Sequence, residues 1–431
     1  MPQAAPLNEQ LAYIYDLERF GIKLGLEVMT KLCAILGNPQ TSFPSVHITG
    51  TNGKGSTASF LESTLRAAGY KVGLYTSPHL YQFNERIRVD GQAITDEALI
   101  ALIAHVRSQI AAYDLTITFF EFTTALTFLQ FARARVDIAI IEVGMGGALD
   151  ATNVITPLVA VITNIGLDHV PEIGEDKAAI AANKAGIIKR GQPVVTAETQ
   201  PALLQYFAGV CQQQQAPFYS VGEHLTVKES HASLAGQTFT TTGTITDTFF
   251  IKLLGQHQIT NACTALLTLH LLRDQGFVLT PTHLTRGLSQ AVWEGRLDIV
   301  SRKPFILVDG AHNNDGVQAL AAFLKTMPLP HPDVLIVAQK KGKQLGLETD
   351  IAPLFDQVIV TQGSYEPEDT SVVARALRAH HPHVQEIPAL AHALAVGRKL
   401  IKPDSMMLIT GSLYMVGDAL SLLRATPAVR K

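Results

Sequence analysis

Cysteine is scarce in this chain: Cys33, Cys211 and Cys263 are the only three in 431 residues, and each stands alone. They make neither a paired zinc pattern nor a disulfide framework, and read as buried free thiols without a catalytic role. An excess of either charge is missing too. The 34 Lys and Arg nearly balance the 37 Asp and Glu, a formal net charge of −3, so the clustered cationic surface that grips DNA or RNA is not expected. Long apolar runs are also lacking. Stretches such as Ile138 to Ile141 and Leu158 to Ile162 fall far short of the roughly 20 residues that a membrane span requires. The first turns of the chain carry Glu9, Asp16, Glu18 and Arg19, with no basic segment leading into an apolar one, which predicts a cytoplasmic protein without a secretory leader.

What is present is core-forming material: 47% hydrophobic and 16% charged residues, the composition of packed domains and not of disorder. At about 150 residues per domain, the length predicts two or three domains. From Val46 onward, short apolar runs at 46–49, 71–76, 137–143, 159–163 and 194–196 read as strands. They alternate with helical patterns at 56–68, 96–112, 121–133, 176–188 and 201–214, which predicts an α/β domain around a mostly parallel, buried sheet. The Thr-rich stretch 218–254, with Gly236 and Gly243, predicts a small β subregion of antiparallel hairpins. Helices at 256–274 and 281–291 precede Trp293-Glu-Gly-Arg-Leu297, where a boundary is placed, giving domains 1–295 and 296–431. The second repeats the alternation, with strands at 305–309, 333–337, 357–361 and 406–410 and a last helix at 414–424.

The strongest local signal runs from Val46 to Thr57, a strand, then Gly50-Thr-Asn-Gly-Lys-Gly55, then a helix opening with Ser56 and Thr57. Backbone N–H groups of such a turn and the positive end of the helix cradle phosphate oxygens, Lys54 reaches the terminal phosphates, and the Ser56 hydroxyl suits Mg²⁺. This predicts a nucleoside triphosphate site. It departs from the strict Walker pattern, because Ile48 stands where the first Gly belongs and Gly55 where Ser or Thr follows the lysine. A second cluster, Gly144-Met-Gly-Gly147, lacks the third glycine of a dinucleotide fingerprint, since Leu149 occupies that place.

Ionisable residues gather where strands end. Glu142 closes an apolar strand, where a carboxylate is costly unless it meets a metal, a helix terminus or a cation. Asp168 and His169 follow the next strand and suit metal, phosphate or plain hydrogen bonding, and Ser77 of Thr76-Ser-Pro-His79 offers a hydroxyl or turn chemistry. Lys184 falls inside a helix, and periodicity alone reads it as a solvated surface lysine.

Taken together, 49–56, 76–80, Asn84-Glu-Arg-Ile87, 142–147, Asp150-Ala-Thr-Asn153, Asp168-His169, 184–187, 255–261, 293–297, Asp309-Gly-Ala-His-Asn313 and Thr410-Gly-Ser-Leu-Tyr414 resemble the folylpolyglutamate synthase/dihydrofolate synthase family of the Mur ligase superfamily. The resemblance spans nearly the whole chain. It implies a P-loop-type N-terminal domain, a C-terminal Rossmann-like domain that closes over it, and an ATP- and Mg²⁺-dependent ligase. That ligase adds L-glutamate to a folate, and by extension to dihydropteroate, through an acyl phosphate, acting as a monomer with small-molecule partners only.

By the same resemblance, Lys54 with Gly50, Thr51, Asn52, Gly53, Gly55, Ser56 and Thr57 holds phosphates. Ser56 and Glu142 hold one Mg²⁺, and Ser77, Glu142 and His169 a second. Lys184 matches a lysine carbamylated in this superfamily, which turns a cation into an anionic ligand. Asn261, Arg296 and Asp309 match nucleotide contacts, His312 and Ser412 glutamate contacts, and Asn84, Arg86, Phe120 and Asp150 the folate site. Lys54, Lys184 and His312 are the catalytic candidates.

Three departures stand out: Ala148 in place of a common Arg, Asn183 in place of Glu, and Gln339-Lys-Lys-Gly-Lys343 where Lys-Asp is usual. They bear on substrate preference and on the C-terminal domain's contribution. The rivals are another Mur-type amide ligase with a different carboxylate substrate and a non-catalytic P-loop nucleotide-binding module. The second would use Lys54 without Glu142, Lys184 or Arg296.

Overall fold

The computed structural model describes residues 7–21, 25–168, 170–343 and 345–425. The chain divides into two compact units, one of 1–229, 239–250 and 260–291 and another of 230–238, 251–259 and 292–431. Mixed α/β architecture with parallel-rich sheets, as the alternating pattern predicts, is found in both.

The first unit is built on an eight-stranded sheet. Its strands are β1 (Ser45–Thr49), β2 (Val72–Tyr75), β3 (Ile87–Val89), β4 (Gln92–Ala93), β5 (Ile138–Glu142), β6 (Val159–Ile162), β7 (Val194–Thr196) and β8 (Phe218–Ser220), in the order β4-β3-β2-β5-β1-β6-β7-β8. From β2 to β8 every neighbour is parallel, and β3 and β4 add an antiparallel edge. β8 corrects the sequence reading, which placed 218–220 in the small β subregion. Three residues carry no periodicity of their own, and pairing with β7 decides their place. The subregion proper is a separate sheet of β9 (Leu225–Ser233), β10 (Gly236–Gly243) and β11 (Asp247–Ile251).

Helices α1 (Leu7–Asp16) and α2 (Glu27–Ile35) precede the sheet, and α3 (Lys54–Ala67), α4 (Asp96–Ala112) and α5 (Phe119–Ala134) lie within it in sequence. One face of the sheet packs Tyr75, Ala139 and Ile141 against Leu102, Phe122 and Phe128 of α4 and α5. Further along the same face, on the β6–β7 side, Ala160, Ile162 and Val194 pack against the helices Lys177–Ala185 and Pro201–Gln213. α3 is buried on nearly every side from Ser56 to Leu65. Its small polar residues make that possible: Ser63 donates to the Gly287 carbonyl at 2.7 Å, so the helix Pro281–Gln290 seats directly on it.

The second unit carries a six-stranded sheet of β12 (Asp298–Arg302), β13 (Phe305–Asp309), β14 (His331–Val337), β15 (Gln357–Val360), β16 (Val384–Glu386) and β17 (Ser405–Thr410), ordered β12-β13-β17-β14-β15-β16. Only β12 runs antiparallel to its neighbour. Among the described residues no helix is long and apolar enough to cross a membrane.

Candidate active site

Parallel pairing brings the carboxyl ends of β2, β5, β1 and β6 into one row, the edge where open α/β sheets bind ligands. The glycine-rich turn leaves β1 here and opens α3. Gly53 is the N-cap of that helix at φ +84°, a conformation that side chains rarely adopt, and a Cβ on it would overlap the Asn261 side-chain oxygen. This places Asn261 against the turn.

The turn is held from the β6 side. Thr51 N–H donates to the Asn164 carbonyl at 3.0 Å, Asn52 N–H to Asn164 Oδ1 at 2.8 Å, and the Thr163 hydroxyl to the Asn52 carbonyl at 2.6 Å. Thr51 and Gly166 exchange a further pair, at 2.9 and 3.1 Å. Glu198, which the sequence reading missed, holds the loop after β6: it accepts from the Ile165 N–H at 2.9 Å and from Thr199 and Gln200 at 2.8 and 2.9 Å. Its only signal is a carboxylate just beyond an apolar strand.

Two lysines meet over this turn. Lys54 Nζ donates to the carbonyls of Gly50 and Thr51 at 3.1 and 3.2 Å, and Lys184 Nζ to that of Gly50 at 3.0 Å. Lys184 is 3% exposed, which corrects the reading of a solvated surface lysine. Burial, with Lys54 nearby, pushes its pKa down to about 7, against a partial pull upward from Asp168 and Asp150. Close backbone approach permits this placement. A Cβ on Gly147 would lie 2.9 Å from the Asn183 carbonyl and the Lys184 Cα, so the loop after β5 seats the helix of Lys184 only because it is bare.

Glu142 ends β5 in register with Ile48 of β1, is 4% exposed, and accepts the Ser77 N–H at 3.2 Å. Ser56, in the first turn of α3, is likewise buried, and Asp168 is 8% exposed. His169 lies outside the described residues.

The residues assigned to folate occupy the β2 and β5 side. Arg86 is 6% exposed, its Nε donates to His79 Nδ1 at 2.9 Å, and its guanidinium carbon lies 5.2 Å from the Phe119 ring centre and 5.7 Å from that of Phe83. Burial and Arg86 together push the His79 pKa down to about 3, so the ring is neutral and accepts. Among the described residues no carboxylate pairs with Arg86. Asn84 donates to the Ile94 carbonyl at 2.8 Å and to Asp96 at 2.9 Å, which pins the loop before β3. Phe120 lies against Gly144, and Asp150 is turned into its own loop, accepting from Met145 N–H at 2.9 Å and Thr152 N–H at 3.0 Å.

In the second unit, Asp309 ends β13 with both oxygens engaged, by Leu297 N–H at 2.8 Å and Ala311 N–H at 2.9 Å. Burial holds its carboxyl above the usual range while the Arg296 guanidinium opposes the shift. Arg296 donates to the Gly295 carbonyl at 3.3 Å, and it also helps burial to push the His257 pKa down to about 4. His312 donates from Nδ1 to the Gly310 carbonyl at 2.7 Å. The Ser412 hydroxyl accepts from Met415 N–H at 3.4 Å in the first turn of the helix Leu413–Ala425. Of the departures, Lys340 pairs with Glu366 at 2.9 Å and lies over Tyr365, and Ala148 packs where a Cβ on Gly186 would collide.

Residues 48–269 match the Mur ligase middle domain, and residues 295–413 match the Mur ligase glutamate ligase domain. A folylpolyglutamate synthase of Lacticaseibacillus casei is 36% identical over 425 residues, covering 95% of this chain and 96% of that one. A dihydrofolate synthase/folylpolyglutamate synthase of Escherichia coli is 32% identical over 438 residues, covering 98% of this chain and 97% of its own length. Among solved structures, Mycobacterium tuberculosis folylpolyglutamate synthase complexed with ADP superposes with a TM-score of 0.89 at 31% identity, covering 97% of this chain and 99% of that chain.

Proposed function

This chain belongs to the folylpolyglutamate synthase/dihydrofolate synthase family of Mur ligases, and from that premise we propose how its residues divide the work of joining L-glutamate to a folate with ATP. In the reaction a folate carboxylate oxygen attacks the γ-phosphate and ADP leaves. The glutamate amine then attacks the acyl carbon, loses a proton and expels phosphate, leaving an amide. A carboxylate is a poor acyl donor, so phosphorylation is what makes the bond attainable, and fixed cations must offset the approach of two anions.

The observation that carries this reading is the convergence of Lys54 and Lys184 on the Gly50 carbonyl at the head of α3. Lys54 and the N–H groups of 50–57 take the phosphates, as a helix N-terminus favours. The Ser56 hydroxyl and the buried Glu142 carboxylate, with Ser77 beside it, are the hard oxygen donors that suit Mg²⁺, which when bound neutralises phosphate charge. A lysine with a pKa near 7 has a substantial share of free amine at neutral pH, the form that adds carbon dioxide; carbamylation of Lys184 would yield an anionic oxygen ligand.

The acceptor's negative charge falls to Arg86, a buried planar fork, with Phe120 and Asn84 shaping its surroundings and Asp150 acting through the loop it holds. Asn261, Arg296 and Asp309 serve the nucleotide, and His312 and Ser412 the incoming glutamate. Residues 1–295 thus form the ATP-binding domain and 296–431 the glutamate-ligase domain of a monomer.

Incubation with ATP, Mg²⁺, glutamate and either tetrahydrofolate or dihydropteroate, with ADP and product mass measured, tests the reading. ADP formed in step with a product heavier by one glutamyl residue supports it, and each acceptor alone shows whether one or both are used. ATP hydrolysis that is indifferent to acceptor, with no amide formed, would overturn it.

A further inference from the structure

β1 is central in the sheet and buried at every position, yet alternate residues on it are polar: Ser45, His47 and Thr49. Two of them reach the same segment after β5. Thr49 Oγ1 donates to the Gly146 carbonyl at 2.5 Å, and His47 Nε2 lies 2.8 Å from Thr152 Oγ1. Thr152 Oγ1 in turn donates to Asp150 Oδ1 at 2.5 Å, and Asp150 Oδ2 accepts the Met145 N–H at 2.9 Å. A hydroxyl has one proton. Since Thr152 gives its proton to Asp150, the His47 ring must donate from Nε2, and the run of bonds is fixed in direction from β1 to the loop.

Its placement is costly. Both His47 and Asp150 are buried, the Nδ1 of His47 has no hydrogen-bond partner among the described residues, and an apolar residue would suit the middle of a parallel strand better. The loop so held is the one on which Lys184 sits: Ala148 N–H donates to the Asn183 carbonyl at 2.9 Å, and Gly147 abuts Lys184.

We propose that His47 is a positioning residue of the ligation, acting through Thr152 and Asp150 to hold the Met145–Gly147 loop and through it to seat Lys184 on the Gly50 carbonyl. This rests on the ligase reading above for its kinetic consequence, but the loop itself can be read without substrate. His47→Leu removes the donor, His47→Gln keeps an N–H at comparable reach, and Thr152→Val cuts the same run one step later.

In the full-length protein, hydrogen exchange at 143–149 should quicken in His47→Leu and in Thr152→Val, and stay close to wild type in His47→Gln. In the glutamylation assay, kcat should fall on the order of tenfold to a hundredfold in the first two, with KM for ATP within about twofold, and recover in His47→Gln. Should His47→Leu fail to fold, Thr152→Val carries the test alone.

Unchanged exchange across 143–149 in a folded variant overturns the proposal, as does an equal loss of kcat in His47→Gln. A wild-type protein that makes no amide at all would refute the ligase reading, and the exchange arms would still decide the role of His47 in the loop.

Discussion

Lys54 and Lys184 donate to one acceptor, the Gly50 carbonyl, at 3.1 and 3.0 Å. Two ammonium groups on a single oxygen are tolerable only if one gives up its charge readily or an anion arrives, and each alternative has a measurable consequence.

The buried partner yields a pH dependence. Unfolded, Lys184 keeps its proton until about 10.5; folded, it releases it near 7. Between those values the unfolded chain binds the additional proton, so stability contributed by this group rises with pH across that window. Denaturant midpoints followed from about pH 6.5 to about pH 9.5 should climb in the wild type, and Lys184→Met should flatten that climb. Identical slopes in both proteins would sink the assignment.

Lys54 is only half-buried and its acceptors are loop carbonyls, so Lys54→Ala should leave the melting temperature nearly unchanged. It should nonetheless cut ATP turnover by about a hundredfold or more, the scale of losing one charge-stabilising donor. ADP release at near wild-type rate would count against a phosphate role.

Gly147→Ala tests the bare seat of Lys184. The added methyl meets the backbone of Asn183 and Lys184, so something must move, at about 1–3 kcal/mol by the usual scale of overpacking. Chemical denaturation should show that loss, and kcat should fall beyond what the lost stability explains at assay temperature. A variant as active and stable as wild type would show the approach to be slack.

Arg86→Met keeps a packing stem among Phe83 and Phe119 while removing the charge. KM for the folate should rise about tenfold or more, the affinity for nucleotide should not change, and stability should hold or improve because a buried cation without a carboxylate is costly. A normal KM would move the acceptor's negative charge to another residue.

How much could be read in advance differs from place to place. The turn at 50–57 was plain because strand, glycines, lysine and helix are consecutive, so local chemistry alone specifies it. The hairpin of β3 and β4 went unread despite a usable sign, Asp90-Gly91, both at positive φ in a two-residue link. β8 and β16 carry only three residues each, too few for periodicity to speak, and a helix separates each from the strand it pairs with. Glu198 and His47 were passed over for a similar reason: an isolated acid and an isolated histidine acquire meaning only from the loop each one holds.

The amino-acid order by itself determined the alternation of strand and helix, the phosphate-type turn and the family resemblance, since these depend on neighbours along the chain. Only the tertiary structure decided that Lys184 is buried on Gly50 rather than facing solvent, that Arg86 stands among aromatic rings, and that Asp150 faces its own loop. Helical spacing says which residues share a face, but whether that face meets water or another element depends on packing between segments far apart in the chain. The charge state of a buried group follows from that packing.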